Sequence, residues 1–199
     1  MDSKTPQEAW EALAAGNKRF TSNEELLHPN RGAVRRHELT TGQNPYACVF
    51  GCSDSRVPPE LLFDAGLGDI FSVRTAGETL DLAVLGSLEF AVVALKVKVL
   101  VVLAHEKCGA VAATAAALEG DGIPDAAQRF LVEKVSPAAF MSVAEGDTAT
   151  DAMEIRQALE TVDQIPKLSP AIAAAVERRE VMLVAARYTL DDGAVTRLN

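Results

Sequence analysis

Val97-Lys98-Val99-Leu100-Val101-Val102-Leu103-Ala104 is an apolar, β-branched run interrupted by one charge. A strand facing solvent on one side alternates polar and apolar residues, whereas this run has no polar face to turn outward. It predicts a strand buried on both sides, the condition of an inner strand in a parallel sheet covered by helices. Eight residues fall far short of the ~20 that span a bilayer.

The flanking segments agree with that prediction. Tyr46 to Gly51 is a second short apolar run, Asp69 to Arg74 a third, and Glu180 to Tyr188 a fourth. Asp192-Gly193 turns the chain into a short final strand, Ala194 to Leu198. Between the strands, Leu80 to Leu95 has helical spacing. Cys108 to Leu118 is alanine-rich and stopped by Gly120-Asp121-Gly122. Helices are also expected over 125–145, bent at Pro137, and over 150–178. Strands alternating with helices imply an α/β fold: a mostly parallel sheet of about four strands plus a short antiparallel C-terminal edge strand, flanked by helices.

Upstream, Thr5-Pro6-Gln7-Glu8 carries the signals of a helix start, with Thr5 as cap, Pro6 in the first turn and Glu8 closing a capping box. Trp10, Leu13, Ala14 and Phe20 form its apolar side, and the pattern is lost near Thr21-Ser22-Asn23. Residues 28–45 are polar and read as an arm with a short helical turn. With 199 residues and no repeat or linker, one domain is expected. It divides into a helix and arm over 1–45 and an α/β core over 46–199. A formal charge of −9 and the lack of a basic block argue against nucleic acid. The sequence has no signal-peptide pattern or membrane-spanning run, and its three cysteines suit a reducing compartment. A cytoplasmic protein is expected.

Cys52, His105 and Cys108 each follow an apolar strand. Ligands of open α/β sheets gather beyond the carboxyl ends of strands, where strand order reverses. If the first and third strands are neighbours, the three side chains converge there. Two cysteines and a histidine form the donor set of a catalytic zinc, which keeps one position for water. Cys108 at a helix start would favour the thiolate. On spacing alone, buried cysteines and a hydrogen-bonded core histidine remain an alternative. Asp54 and Arg56 share the Cys52 loop, where an ion pair can hold a carboxylate ionised and oriented, or be a simple loop salt bridge.

Cys52-Ser53-Asp54-Ser55-Arg56-Val57 is similar to the C-[SA]-D-S-R-V signature of β-class carbonic anhydrases, and His105-Glu106-Lys107-Cys108-Gly109-Ala110 resembles their H-x-x-C-G-A. Gly68 to Phe71, Val73 to Gly77, Ser87 to Val92, Gln43-x-Pro45 and Tyr188 to Gly193 extend the resemblance over nearly the whole chain. It implies one Zn²⁺ per subunit on Cys52, His105 and Cys108, and reversible hydration of carbon dioxide to bicarbonate. Asp54 would accept a hydrogen bond from the nucleophile, or in some members ligate the metal, and Arg56 would orient Asp54. Gln43, Phe71, Phe90 and the Gly109 N–H would contact CO₂ or bicarbonate. The resemblance also implies a homodimer or homotetramer with the pocket between subunits and the N-terminal helix over the partner. The alternative is that Trp10, Leu13 and Phe20 dock on their own subunit.

Departures from the family pattern are Ala104 for the usual Gly, Thr75 and Glu78 for the usual Asn residues, and Phe90 where many members have Tyr. Cys48 reads as core, and His28 and His37 as surface residues. Hydrolysis of carbonyl sulfide or carbon disulfide on the same scaffold, or a catalytically silent zinc protein, are the rival readings.

Overall fold

A computed structural model describes residues 4–22 and 30–199. At its centre lie β1 (Ala47–Cys52), β2 (Ile70–Thr75), β3 (Val99–His105), β4 (Met182–Tyr188) and β5 (Val195–Arg197), in the order β2-β1-β3-β4-β5. The first four run parallel and β5 pairs antiparallel with β4. As the apolar runs predict, β1 and β3 are buried along their whole length. The chain leaves β1 for β2 on one side and returns to β3 on the other. Strand order therefore reverses between β1 and β3, which brings the residues after both strands to one crevice.

The pleat sends alternate side chains to opposite faces. Val49, Val101, Leu103 and Val184 meet Trp10, Leu13, Leu62 and Phe63 on one face. Cys48, Phe50, Leu100 and Val102 meet Leu88, Ile165 and Ile172 on the other, so Cys48 is a core residue. Ala104 also lies in this second layer, fully buried and without a positive φ, so alanine strains nothing there.

The first layer is covered by α1 (Pro6–Thr21) and the short α3 (Pro59–Leu62). Thr5 and Glu8 form the expected capping box: the Glu8 N–H donates to Thr5 Oγ1 at 3.2 Å and the Thr5 N–H to Glu8 Oε2 at 2.7 Å. The buried stripe is Ala9, Trp10, Leu13, Gly16 and Asn17, while Ala14 faces solvent, because the helix sits one position round from the expected face. α1 docks on its own sheet through Ala9, Trp10 and Leu13. It comes so close that a Cβ at Gly16 would lie 1.9 Å from the Phe63 carbonyl oxygen. Asn17 fastens it: its amide donates to Leu62 O and Gly193 O and accepts the Val195 N–H. His28 and Asn23 lie outside the described residues. His37 is exposed on α2 (Ala33–Glu38), the helical turn of the arm.

Two expected helices are revised. α4 (Leu82–Glu89) gives way to a wider π-type turn at Phe90–Ala94 instead of running regularly to Leu95. The segment 150–178 is two helices, α7 (Thr150–Leu168) and α8 (Pro170–Glu177). Ser169 caps the Ile172 N–H at 3.1 Å, and Pro170, with no N–H to give, starts the new helix. α5 (Gly109–Glu119) follows β3, and α6 (Gln128–Ala144) continues through Pro137. Among the described residues, no helix is long and apolar enough to cross a membrane.

Candidate metal centre

Cys52 is the last residue of β1, His105 the last of β3, and Cys108 the cap of α5. Because β1 and β3 are neighbours, the three meet at the crevice with their ligand atoms all within 4.8 Å of one another, each residue buried. The hydrogen bonds around them prepare a donor set. His105 Nδ1 lies 2.8 Å from the Glu106 carbonyl, which can only accept, so Nδ1 carries the proton and Nε2 keeps its lone pair. That Nε2 is buried and has no hydrogen-bond partner among the described residues. A buried lone pair facing two cysteine sulfurs is what a tetrahedral Zn²⁺ requires of its histidine, so the residues present fit the metal.

The sulfurs are set unequally. The Cys108 thiol hydrogen-bonds to Cys52, which brings Cys52 down to about 4 against the opposing effect of burial, and the same bond pushes Cys108 up. Burial is the largest single influence on His105 and works against its charged form, but the nearby Cys52 sulfur, the Glu106 carbonyl and the Asp54 carboxylate together raise it. The Gly77 N–H donates to Cys52 Sγ at 3.3 Å. Gly77 has φ +67°, and a Cβ there would lie 2.6 Å from the Ala110 Cβ.

Asp54 and Arg56 form a forked pair, with Nε to Oδ1 at 2.9 Å and Nη2 to Oδ2 at 2.7 Å, and the Arg56 N–H also donates to Oδ1. This bonding holds the Asp54 carboxyl at about 2. Arg56 Nη2 also reaches the Lys107 carbonyl at 3.3 Å, which ties the Cys52 loop to the His105–Cys108 loop. Asp54 Oδ2 lies 4.0 Å from His105 Nε2, with Arg56 behind it. Arg74 braces the Cys52 loop through the carbonyls of Cys52 and Asp54, at 2.9 and 2.6 Å.

A cavity of about 420 Å³ opens at the centre, lined by Cys52, Asp54, Ala76, Gly109, Leu131 and Val132 among others. Of the four residues expected to contact substrate, only Gly109 lines it. Gln43 lies before β1, in a separate cavity of about 760 Å³ with Tyr46, Asp69 and Lys98. The length of β1 puts it roughly 20 Å from Cys52. Phe71 stands opposite Cys48, four residues short of Cys52, and its ring centroid is 6.0 Å from that of Phe90, which is 49% exposed. Within one chain these three residues are away from the metal ligands.

Sequence reasoning noted Glu78 only as a departure from the family pattern and passed over Glu154 and Gln157. Glu78 is buried, and Oε2 has no hydrogen-bond partner among the described residues; burial, reinforced by Cys52, raises its carboxyl well above the usual range. Glu154 and Gln157 of α7 are buried beside the ligand loops and lie far along the chain from the signatures. Nothing in their local pattern distinguishes them from an amphipathic helix face.

Residues 47–195 match the family model described as carbonic anhydrase. The chain is 46% identical to the carbonic anhydrase of Mycolicibacterium smegmatis, over 98% of this chain and 94% of that protein. It is 42% identical to carbonic anhydrase 2 of Mycobacterium tuberculosis, over 97% and 93%. In fold it is similar to the solved tetrameric β-carbonic anhydrases of the ascomycete Sordaria macrospora, with TM-score 0.73 at 20% identity, covering 96% of this chain and 98% of that one.

Proposed function

The chain belongs to the β-class carbonic anhydrase family, and from that premise we propose that it catalyses CO₂ + H₂O ⇌ HCO₃⁻ + H⁺ using one Zn²⁺ per subunit held by Cys52, His105 and Cys108. The observation that carries this reading is the buried cysteine–histidine–cysteine group whose imidazole offers an unpartnered Nε2. Zinc supplies Lewis acidity, bringing the ionisation of water from 15.7 down toward ~7 so that hydroxide is available at neutral pH.

The protein's own groups do the rest. Asp54, kept anionic by Arg56, accepts a hydrogen bond from the attacking oxygen and so directs its lone pair at carbon. The Glu106 carbonyl holds the His105 tautomer. Ala76, Leu131 and Val132 give the cavity an apolar wall suited to CO₂, and the Gly109 N–H offers a donor to the bicarbonate formed. The released proton passes to buffer.

Gln43, Phe71 and Phe90 reach a metal site only if another copy of the chain supplies them, so the working unit is a homodimer or a homotetramer. Two facts support this: the exposed apolar side chains Leu82, Phe90 and Val93, and the tetrameric state named for the similar Sordaria structures. The chain works as a single domain in the cytoplasm, on small molecules and not on nucleic acid.

Metal analysis paired with stopped-flow CO₂ hydration, read by a pH indicator, tests the proposal. Cys52→Ser and Cys108→Ser each lose zinc and activity together. Asp54→Asn keeps zinc and hydrates CO₂ about 10²-fold more slowly. Zinc-loaded wild-type protein with only the background rate would refute the catalytic reading, and wild-type rates in Asp54→Asn would refute that residue's role.

A further inference from the structure

α7 touches the Cys108 backbone and the Gly77 turn that donates to the Cys52 sulfur. Glu154 and Gln157 stand three residues apart on its buried face, 2% and 4% exposed. Glu154 Oε1 accepts the Cys108 N–H at 3.2 Å, and its Oε2 accepts Arg187 Nη2 at 3.0 Å and Nε at 3.3 Å. Gln157 Nε2 donates to the Gly77 carbonyl at 3.3 Å, and the Gly77 N–H is the group that donates to Cys52 Sγ. One helix thus holds the backbone of one sulfur ligand and, through a single residue, the sulfur of the other.

The arrangement costs more than packing alone would require. A carboxylate buried to this degree is tolerated only with a partner, and β4 supplies one in Arg187, which stands opposite Ala104, next to His105. The ion pair therefore lies beside the strand that ends in the histidine ligand, and fixes Glu154 Oε1 on the Cys108 N–H. The neighbouring Met153 and Ala158 of the same helix are buried as ordinary apolar contacts.

We propose that Glu154 and Gln157 are positioning residues, through which α7 sets the separation and orientation of the Cys52 and Cys108 sulfurs and hence the grip on the metal. The inference rests on the zinc reading above. Outer groups of this kind typically contribute 10–100-fold in metal affinity.

The test measures zinc affinity by competition with a chromophoric chelator, and the visible absorption of the Co²⁺-substituted protein, which reports ligand geometry directly. Glu154→Ala and Gln157→Ala are expected to weaken zinc binding by 10- to 100-fold and to change the cobalt bands. Ile165→Val loosens α7 in the core away from the ligand loops and is expected to leave both measurements as in the wild type. Combining Glu154→Gln with Arg187→Met keeps an acceptor for the Cys108 N–H and removes the cation that would otherwise be left with only Glu106, 4.0 Å away. This pair is expected to recover affinity to within about threefold of wild type.

The proposal is overturned if folded Gln157→Ala binds zinc within twofold of wild type with unchanged cobalt bands. It is overturned equally if Ile165→Val matches the losses, or if the double variant recovers nothing. If Glu154→Ala does not fold, Gln157→Ala and the double variant decide. Failure of the wild-type protein to bind zinc would instead refute the metal reading itself.

Discussion

Replacing Gly77 with alanine puts a methyl group where the structure has no room for one. The added Cβ would lie 2.6 Å from the Ala110 Cβ and 3.5 Å from Val135 Cγ2, on a residue with φ +67°. The left-handed conformation costs an L-residue roughly 1–2 kcal/mol, offset by about 0.4–1 kcal/mol because alanine restricts the unfolded chain. Forcing a methyl into a packed core adds about 1–3 kcal/mol. Gly77→Ala should therefore lose about 2–4 kcal/mol, and its N–H should withdraw from Cys52 Sγ. The two causes separate in a double-mutant cycle with Ala110→Gly, which removes the opposing methyl and alone costs about 1 kcal/mol in helix propensity. If the clash is real, the double variant is more stable than the sum of the single losses by about 1–3 kcal/mol. Urea unfolding of the four proteins, at fixed protein and zinc concentrations, measures this. Additivity to within about 0.5 kcal/mol would refute the steric argument, leaving only backbone strain.

The hydrogen bonds from Arg56 set the pH range of the Asp54 contribution. With a native value of about 2 against ~3.9 unfolded, the contribution is complete above the unfolded value and lost as pH falls toward 2. The stability difference between wild type and Asp54→Asn should be flat from pH 7 to pH 5 and close only in stronger acid; closure near pH 6, by urea titration, would contradict the assignment. Burial pushes Cys48 up to about 12, so iodoacetamide at pH 8 should spare it in the folded protein and modify it on unfolding. Peptide mapping reads this, and Cys48 labelling without unfolding would place it wrongly in the core. Leu13→Ala, at a fully buried site, should cost about 2–5 kcal/mol in urea unfolding. A loss under 1 kcal/mol would argue against α1 docking on its own sheet.

Features that depend on local chemistry were legible in the sequence. The unbroken β-branched run of β3, the capping box at Thr5 and the donor types at Cys52, His105 and Cys108 each carry their meaning within a few residues. The convergence of the three donors was legible only on the condition that β1 and β3 are neighbours, which the sheet order supplies. What escaped depends on distant partners. Gln157 faces Gly77 across 80 positions and Glu154 faces Cys108 across 46, so no window of sequence holds both ends of either bond. The break at Ser169-Pro170 was local and readable, but the helical periodicity on both sides obscured it. The face of α1 that is buried was misplaced by one residue at Ala14, because alanine is apolar enough to suit either side.

Asn17 binds α1 to Gly193 and Val195, partners 176 and 178 positions later in the chain. During synthesis the first helix emerges long before those residues exist. Trp10 and Leu13 pack with Leu62, Phe63 and β3, which are made by residue 105, but two of the Asn17 bonds must wait for Gly193 and Val195. Contacts of such sequence separation form late in folding, so these bonds act as a latch added after the sheet beneath α1 is in place. Clipping the chain just before Gly193 would remove two of the three Asn17 bonds and leave α1 held by Leu62 and its apolar face.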